Sequence, residues 1–442
     1  MASATVKHLD TGDSTGILRT DRRKWYPIPQ EYDELFKDDT PFLSLSMRNK
    51  KTGLSDPVFK MFQYENTFFR RYMYNNGSTV TIAAASSGAA AESSAVTIDN
   101  VTGFGSTSTI DASFVHKVFE VWDSTLTTLR GRAILTDDTS TTTAKFKNLG
   151  TTAIATVDND VFVLITNAQE DGAEAPDAYS SELAVVWNQC QQFKTPVQLE
   201  GEILYASLRG ENNELKRLQA EKYKEHRVEI EGAFLKGESP AGTNLGAADT
   251  FTDIYALTGD TGKVVRTTYG ILPALNAYGT STTTSDYQNL FSITEGSYKY
   301  ENFVDDTEKI FQYDPPGDTL YAITGPTANS YWSKLLYARS SKDNWVVQLS
   351  DKRKDSFGFN IRLLETPNGV LKLRPSKALK YEYKKYMVIP DDRHLAFYEY
   401  RPTKFMTDIK KDNAYDGRKD LYWSDAGIGI RHIKSHARMV IS

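Results

Sequence analysis

Cysteine and long hydrophobic runs are both scarce in this chain. Cys190 is the only cysteine among 442 residues, so no disulfide can form within the chain and the fold needs no oxidising compartment. The opening residues, MASATVKHLDTGDSTG, lack the apolar core of a signal peptide, and no apolar run approaches membrane-spanning length. We therefore expect a protein without a membrane partner that is assembled in a cytoplasm.

An excess of positive charge is also missing. The formal net charge is −5 at pH 7, so the chain has no overall basic field of the kind that draws proteins to nucleic acid. This balance argues against sequence-specific nucleic-acid binding. Aromatic residues, in contrast, are plentiful, with 25 Tyr and 21 Phe, which favours packed β structure and protein interfaces.

Recognisable catalytic and cofactor motifs are missing as well. Gly427–Ile430 lacks the third glycine and the following helix of a phosphate-binding loop. His432 and His436 are spaced four apart, but the alternating apolar residues around them predict a strand, where they would lie about 13 Å apart, too far to share a metal ion. Cys190 has no histidine nearby, which is typical of a small buried residue rather than a nucleophile. The acidic residues Asp305, Asp306 and Glu308 are interpreted as solvated loop charges. The sequence predicts a protein that is not an enzyme and binds no cofactor or metal.

A long helix is the most prominent predicted element. No proline interrupts residues 211–236, and apolar residues recur there at helical spacing. The members of this stripe are Leu215, Leu218, Tyr223, His226, Ile230 and Phe234. Gly237 and Pro240 follow as stop signals. The polar flanks predict a strut that lies across a thin protein.

The segments before this helix divide by composition. Residues 1 to about 40 have few apolar side chains, which predicts an extended arm. Trp25-Tyr26-Pro27 is not expected to be helical, because proline fixes its own φ and disfavours helix at the residue before it. Val58–Tyr64 alternates as a strand does. Residues 76–165 are rich in Ser, Thr, Ala and Gly, with short alternating segments that predict a small all-β insertion. Within it, 83–94 is predicted to be a loop.

The remainder predicts a mixed α/β body. Ser180–Phe193 marks a helix or a strand, and helical patterns cover Tyr269–Tyr278 and Thr327–Ala338. Pro367-Asn368-Gly369 between two apolar runs predicts a hairpin. Further strands are predicted at Thr319–Thr324, Asn360–Leu364, Val370–Leu373, Tyr386–Ile389, Leu395–Tyr400, Ile428–Ile433 and Ser435–Ile441.

The order of these parts resembles the major capsid proteins of tailed bacteriophages, which have the Hong Kong 97-like fold. Three elements carry the resemblance: Asn188–Val197 before the long helix, Ile230–Gly237 at its end, and Thr366–Leu373 in the C-terminal part. A short polar element, Ser435–Arg438, adds to it near the end of the chain. The resemblance covers about residues 25–75 and 168–442. The residues 76–165 depart from the minimal fold.

The resemblance implies an α+β fold with five parts. These are an N-terminal arm (1–45), an extended β loop (46–75 and 166–180), an all-β insertion domain (76–165), a peripheral domain with its spine helix at 211–236 (181–255 and 365–442) and an axial domain (256–364). It also implies contacts between subunits, for which the basic and aromatic residues of the arm and loop are candidates: Arg22, Arg23, Trp25, Phe59, Phe62, Tyr64 and Phe68.

The resemblance further implies function and partners. Copies of the chain would form hexamers and pentamers of an icosahedral head in the virion, enclosing double-stranded DNA without sequence-specific binding. The portal and a separate scaffolding or decoration protein would be additional partners, with assembly in the cytoplasm of the host bacterium. The alternative is another phage structural subunit, such as a tail-tube or head-completion protein. An enzyme carrying a β accessory module ranks below both.

Overall fold

The computed structural model describes thirteen stretches of the chain: residues 40–64, 71–77, 79–85, 92–102, 110, 112–172, 183–205, 214–239, 257–281, 288–340, 353–354, 360–409 and 416–442. These residues fall into two compact units. One comprises the described residues up to Met61 and from Val186 onward, and the other lies within Phe62–Val185. Arg22, Arg23, Trp25, Phe68 and most of the predicted arm lie outside the described residues.

Strands dominate over helices in the described residues. The helices are α1 (Pro41–Ser46), α2 (Gly201–Tyr205), α3 (Glu214–Lys236), α4 (Ile271–Tyr278), α5 (Tyr300–Phe311) and α6 (Pro326–Ser340). The first ten strands are β1 (Lys50–Thr52), β2 (Val58–Gln63), β3 (Tyr72–Asn75), β4 (Val80–Ile82), β5 (Val96–Thr102), β6 (Lys117–Trp122), β7 (Leu129–Ser140), β8 (Thr143–Asn148), β9 (Ile154–Thr156) and β10 (Val161–Asn167). The remaining strands are β11 (Ala184–Gln189), β12 (Gln191–Glu200), β13 (Leu290–Ile293), β14 (Thr319–Thr324), β15 (Arg353–Lys354), β16 (Asn360–Thr366), β17 (Gly369–Pro375), β18 (Tyr386–Ile389), β19 (Leu395–Met406), β20 (Gly417–Ile430) and β21 (Ala437–Ile441).

A four-stranded sheet supports the long helix in the first unit. Its order is β1-β19-β20-β12, with β1 parallel to β19 and the other pairs antiparallel. Along β12, Phe193, Thr195, Val197 and Leu199 are buried while their neighbours are exposed or half-buried. This period of two is that of a strand with one face on a core. Of the segment Ser180–Phe193, predicted as a helix or a strand, the described part forms β11 and the start of β12, and residues 180–182 lie outside the described residues. The apolar residues of α3 and α4 cover the sheet in one hydrophobic cluster.

A seven-stranded mixed sheet forms the second core of the same unit. Its order is β13-β21-β18-β14-β17-β16-β15. Phe303 of α5 and Trp332 of α6 belong to its hydrophobic cluster, with ring centroids 4.6 Å apart. The predicted hairpin is confirmed, because β16 and β17 pair antiparallel from Thr366 and Gly369 onward. The helices predicted at 269–278 and 327–338 are also confirmed.

The second unit contains a closed β barrel. Its strand order is β10-β3-β5-β8-β7-β6, and β4 and β9 pair separately. Phe146 lies in its core, with ring centroids 4.8 Å from Phe162 and 6.2 Å from Phe119. The barrel strands run from Tyr72 to Asn167, so they extend on both sides of the 76–165 segment that composition singles out.

Two local predictions are wrong. The strand predicted at Ile428–Ile433 ends at Ile430, because His432 has left-handed dihedrals (φ 48°, ψ 64°) and begins a short 3₁₀ turn. His432 and His436 therefore do not lie on one strand. Asp305, Asp306 and Glu308 are not loop residues but belong to α5, whose buried face carries Phe303, Thr307, Ile310 and Phe311.

Candidate assembly surfaces

The C-terminal half of α3 is fixed to the first unit by burial. Its buried residues are His226, Ile230, Glu231, Phe234 and Leu235. The Phe234 ring lies 5.6 Å from that of Phe397 on β19. The apolar stripe predicted from sequence is thus correct at His226, Ile230 and Phe234, whereas Tyr223 is exposed.

A buried carboxylate ties α3 to two distant segments. Glu231 is fully buried. It accepts hydrogen bonds from the Leu43 backbone N–H at 3.4 Å and from the Ser376 hydroxyl at 2.9 Å. Glu231 directly follows Ile230 and lies three residues before Phe234, and both of these belong to the apolar stripe. On a helix this position lies beside the stripe. That position is the signal in the sequence that it faces inward.

His226 makes a second polar tie. The Thr195 hydroxyl donates to the Glu229 carboxylate at 2.9 Å and lies 2.8 Å from His226 Nδ1. Because a hydroxyl has one hydrogen, His226 Nδ1–H donates to Thr195, and Nε2 accepts from the Ser424 hydroxyl at 2.7 Å. Burial lowers the pKa of His226, which keeps this neutral tautomer in place.

The N-terminal half of α3 differs sharply. From Glu214 to Glu225 no residue is buried, and ion pairs run along the helix surface. Arg217 pairs with Glu214 and with Glu221, the latter at 3.0 Å, and Lys222 pairs with Glu225 at 2.5 Å. Surface pairs of this kind contribute at most about 1 kcal/mol each. The Gln219 side chain donates to Asp420 at 2.7 Å, and its backbone carbonyl accepts from the Tyr422 hydroxyl at 3.1 Å, so β20 contacts one side of these turns. Five of the twelve residues are exposed and the other seven half-buried, which leaves the exposed side of the helix available to a neighbour.

The aromatic residues predicted for subunit contacts separate along β2. Phe59 is 4 % exposed, and its ring stacks on that of Tyr398 with 4.1 Å between the ring centroids. Its side chain therefore packs inside the subunit, which corrects its assignment as a residue of the subunit contact. Phe62 is 63 % exposed and Tyr64 44 % exposed. These two are the members of the predicted set that the structure describes at a surface.

A cluster of histidines fixes the last strand. His436 is buried, its Nδ1 accepts from the Asp391 N–H at 3.0 Å, and its Nε2 donates to the Arg431 carbonyl at 3.1 Å. Burial lowers the pKa of His436 to about 4. Burial also lowers the pKa of His394 to about 4, and its ring lies 4.6 Å from that of His432. Burial opposes ionisation of Asp391, but the Arg393 guanidinium beside it holds the pKa of that carboxyl below its usual value.

This cluster and Cys190 do not form a reactive centre. Within the described ranges, no group of three or more His, Cys, Asp or Glu side chains is arranged to hold a metal ion. Cys190 is buried, and burial raises the pKa of its thiol to about 12, so the thiolate that a nucleophile requires is not populated near neutral pH. None of the helices that the structure describes is long and apolar enough to span a bilayer.

The described residues form a mixed α+β fold with strand-rich sheets and few helices. The chain belongs to the SU10 major capsid protein family, whose sequence model matches residues 28–441. It is therefore a major capsid protein of a tailed bacteriophage, a structural component of the virion that associates with copies of itself.

Several phage capsids are among the solved structures that the chain resembles. The capsid of Myoviridae phage XM1 shares 8 % identity over 94 % of this chain and 97 % of that chain, with a TM-score of 0.42. The capsid of cyanophage P-SCSP1u shares 8 % identity over 63 % and 80 %, with a TM-score of 0.38. The mature capsid of bacteriophage PhiM1 shares 9 % identity over 63 % and 79 %, with a TM-score of 0.39. Among curated protein sequences, none matches the chain.

Proposed function

We propose that copies of this chain form hexamers and pentamers that close into an icosahedral head around double-stranded DNA. In this proposal the subunit has the Hong Kong 97-like arrangement: arm, extended loop, peripheral domain with α3 as its spine, and axial domain. The enclosed DNA is held without sequence-specific contacts. A portal and a separate scaffolding or decoration protein complete the particle, which assembles in the cytoplasm of the host.

The observation that carries this proposal is the exposed side of the N-terminal half of α3. Among the described residues, β20 contacts the other side of this half, and no residue from Glu214 to Glu225 is fully buried. Val228, one turn further on, is also exposed. Packing against neighbouring copies would supply the missing contacts, which is the behaviour of an obligate interface.

The extended loop supplies a second contact in this proposal. Phe62 and Tyr64 expose large aromatic surfaces, and aromatic side chains are enriched in the cores of protein interfaces. Arg22, Arg23, Trp25 and Phe68 remain candidates for the same role. The barrel of the second unit would occupy the outer face of the shell, where packed DNA does not confine it, and would serve contacts between capsomers or decoration.

Electron microscopy of the purified full-length chain tests the proposal, and we expect it to show closed shells with hexameric and pentameric capsomers. Open tubes would contradict closure into an icosahedral head, and dispersed particles under all assembly conditions would contradict shell formation. Two substitutions of Val228 test whether α3 contributes to the interface. Val228→Gln removes apolar surface and should reduce assembly without unfolding the chain. Val228→Ile keeps that surface and should assemble normally.

A further inference from the structure

A concentration of lysines surrounds the turn between β17 and β18. Lys377, Lys380, Lys384 and Lys385 lie within nine residues, and Glu382 is the one acid among them. Lys236, at the end of α3, joins them, because its Nζ donates to the Ala378 carbonyl at 3.3 Å and lies 5.5 Å from the Tyr383 ring. We call these five lysines the lysine patch.

Tyr381 stands exposed in the middle of the lysine patch. Its side chain is 88 % exposed, and its φ of 54° is left-handed, which is uncommon for an aromatic residue. The turn that holds it is anchored: Leu379 is fully buried, the Tyr383 N–H donates to the Lys380 carbonyl at 3.2 Å, and the Tyr383 and Tyr386 rings lie 5.1 Å apart. An exposed tyrosine on an anchored turn, with Lys380 and Lys384 close to it in sequence, suits a protein interface with an acidic partner.

An acidic stripe lies on α5 of the same chain. Glu301, Asp305 and Glu308 are exposed and recur at i, i+4 and i+7, on the side of the helix opposite its buried residues. Like charges at this spacing destabilise a helix by a few tenths of a kcal/mol per pair. Within the part of the chain that the structure describes, none of the three carboxylates forms an ion pair. The stripe therefore has a charge that the described residues leave unbalanced.

We propose that the lysine patch and Tyr381 of one copy dock on the acidic stripe of α5 of a second copy. This inference rests on the proposed function, since it names a contact between neighbouring subunits. Charge complementarity favours a second copy: the two surfaces have opposite sign, and each chain carries one of each. A contact between two different patches repeats head to tail, and such contacts generate a ring when the rotation between copies closes.

Charge reversal and charge exchange test this docking. Lys384→Glu with Lys385→Glu reverses part of the lysine patch, and Glu301→Lys with Asp305→Lys and Glu308→Lys reverses the stripe. Each set should reduce assembly, measured by sedimentation and electron microscopy, by about tenfold or more, because like charges then face each other. Both sets in one chain should restore assembly. Tyr381→Ala should weaken it without a charge change.

Controls separate this contact from general effects of charge and folding. Lys51→Glu with Lys404→Glu alters two exposed lysines elsewhere in the same unit and changes the net charge as much as the reversal of Lys384 and Lys385 does. This variant should assemble normally. Circular dichroism should show the same fold for every variant. Raising the salt concentration should weaken wild-type assembly, because exposed charge pairs are screened.

The possible failures are distinguishable. A wild-type chain that forms no shells contradicts the proposed function. If the wild type assembles and both reversal sets assemble equally well, the docking is overturned while the proposed function stands. A folded exchange variant that fails to recover also overturns the pairing. Lysine variants that assemble normally but no longer retard double-stranded DNA in a gel would assign the patch to nucleic acid instead.

Discussion

The carboxylate of Glu231 on α3 accepts a 2.9 Å hydrogen bond from the hydroxyl of Ser376, 145 residues further along the chain. Its other oxygen accepts from the Leu43 backbone N–H, 188 residues earlier. Since Glu231 is fully buried, one side chain joins the start of the described chain, the long helix and the segment after β17. This buried junction fixes the C-terminal half of α3.

Replacing Glu231 should destabilise the first unit. Glu231→Ala leaves the Ser376 hydroxyl and the Leu43 N–H buried without an acceptor, and each unsatisfied group costs about 1–3 kcal/mol. The free energy of unfolding, measured in urea on unassembled chains, should fall accordingly. Glu221→Ala, on the exposed side of the same helix, should change it by no more than about 1 kcal/mol. Equal effects of the two substitutions would contradict the assigned role of Glu231.

The buried histidine His436 should make the fold sensitive to acid. Its folded-state pKa of about 4 lies below the ordinary value of 6.5, so between these values the unfolded chain binds a proton that the folded chain does not. Stability should therefore fall as the pH drops from 6.5 towards 4, on the order of 3 kcal/mol for such a shift at about 1.4 kcal/mol per pKa unit. Unfolding in urea at several pH values measures this slope. His436→Gln should flatten it, and an unchanged slope in that variant would assign the effect to other groups.

Much of this fold is predictable from local pattern. The long helix, the hairpin at Pro367–Gly369 and the strand β2 follow from periodicity and turn chemistry, which neighbouring residues determine. The inward direction of Glu231 and His226 depends instead on Ser376, Thr195 and Ser424, whose proximity arises only when distant segments pack together. Periodicity therefore identifies the helix but not the polar partners that orient it.

For surface residues, too, local pattern predicts the element but not the contacts of its side chains. Alternation along Val58–Tyr64 predicts a strand. It does not show that Tyr398 packs on Phe59 and leaves Phe62 exposed. Tyr381 is not among the residues that the sequence predicts for subunit contacts, although KALKYEYKK interleaves aromatic and basic residues. Its left-handed backbone and its exposure on a turn anchored by Leu379 and Tyr383 are features that a linear pattern does not reveal.

The barrel of the second unit should unfold independently when its core is weakened. Phe146 is fully buried between Phe119 and Phe162, so Phe146→Ala should cost about 3–5 kcal/mol. Calorimetry should show one transition moved to lower temperature while the transition of the first unit stays in place, because the hydrophobic clusters are separate. A single transition that shifts as a whole would show that the two units unfold together.

Removal of most of the predicted arm, residues 1–39, should abolish shells but spare the fold. Deleting residues 1–39 keeps Thr40, whose hydroxyl accepts a 2.7 Å hydrogen bond from Arg227 on α3. We expect unchanged unfolding of the first unit and loss of stable particles, because the contribution of the arm is intermolecular in the proposed function. Normal particles with unchanged thermal stability would show that the arm is dispensable.

Phe59 and Phe62 offer a matched test of interior against interface on a single strand. Phe59 is buried against Tyr398, so Phe59→Ala should lower the free energy of unfolding by about 3–5 kcal/mol. Phe62 is 63 % exposed, and surface substitutions usually change stability by less than about 0.5 kcal/mol. Phe62→Ser should therefore leave the unassembled chain as stable as wild type.

The effect of Phe62→Ser should appear only on assembly. If a neighbouring copy covers this ring, its loss removes apolar area from the interface, and truncating an interface anchor costs about 2 kcal/mol or more. Particle yield at a fixed chain concentration should then fall by more than tenfold, since about 1.4 kcal/mol corresponds to a factor of ten. Tyr64→Ser should act in the same direction. Wild-type yields from both variants, with stability unchanged, would remove Phe62 and Tyr64 from the proposed interface and leave the exposed side of α3 as its remaining candidate.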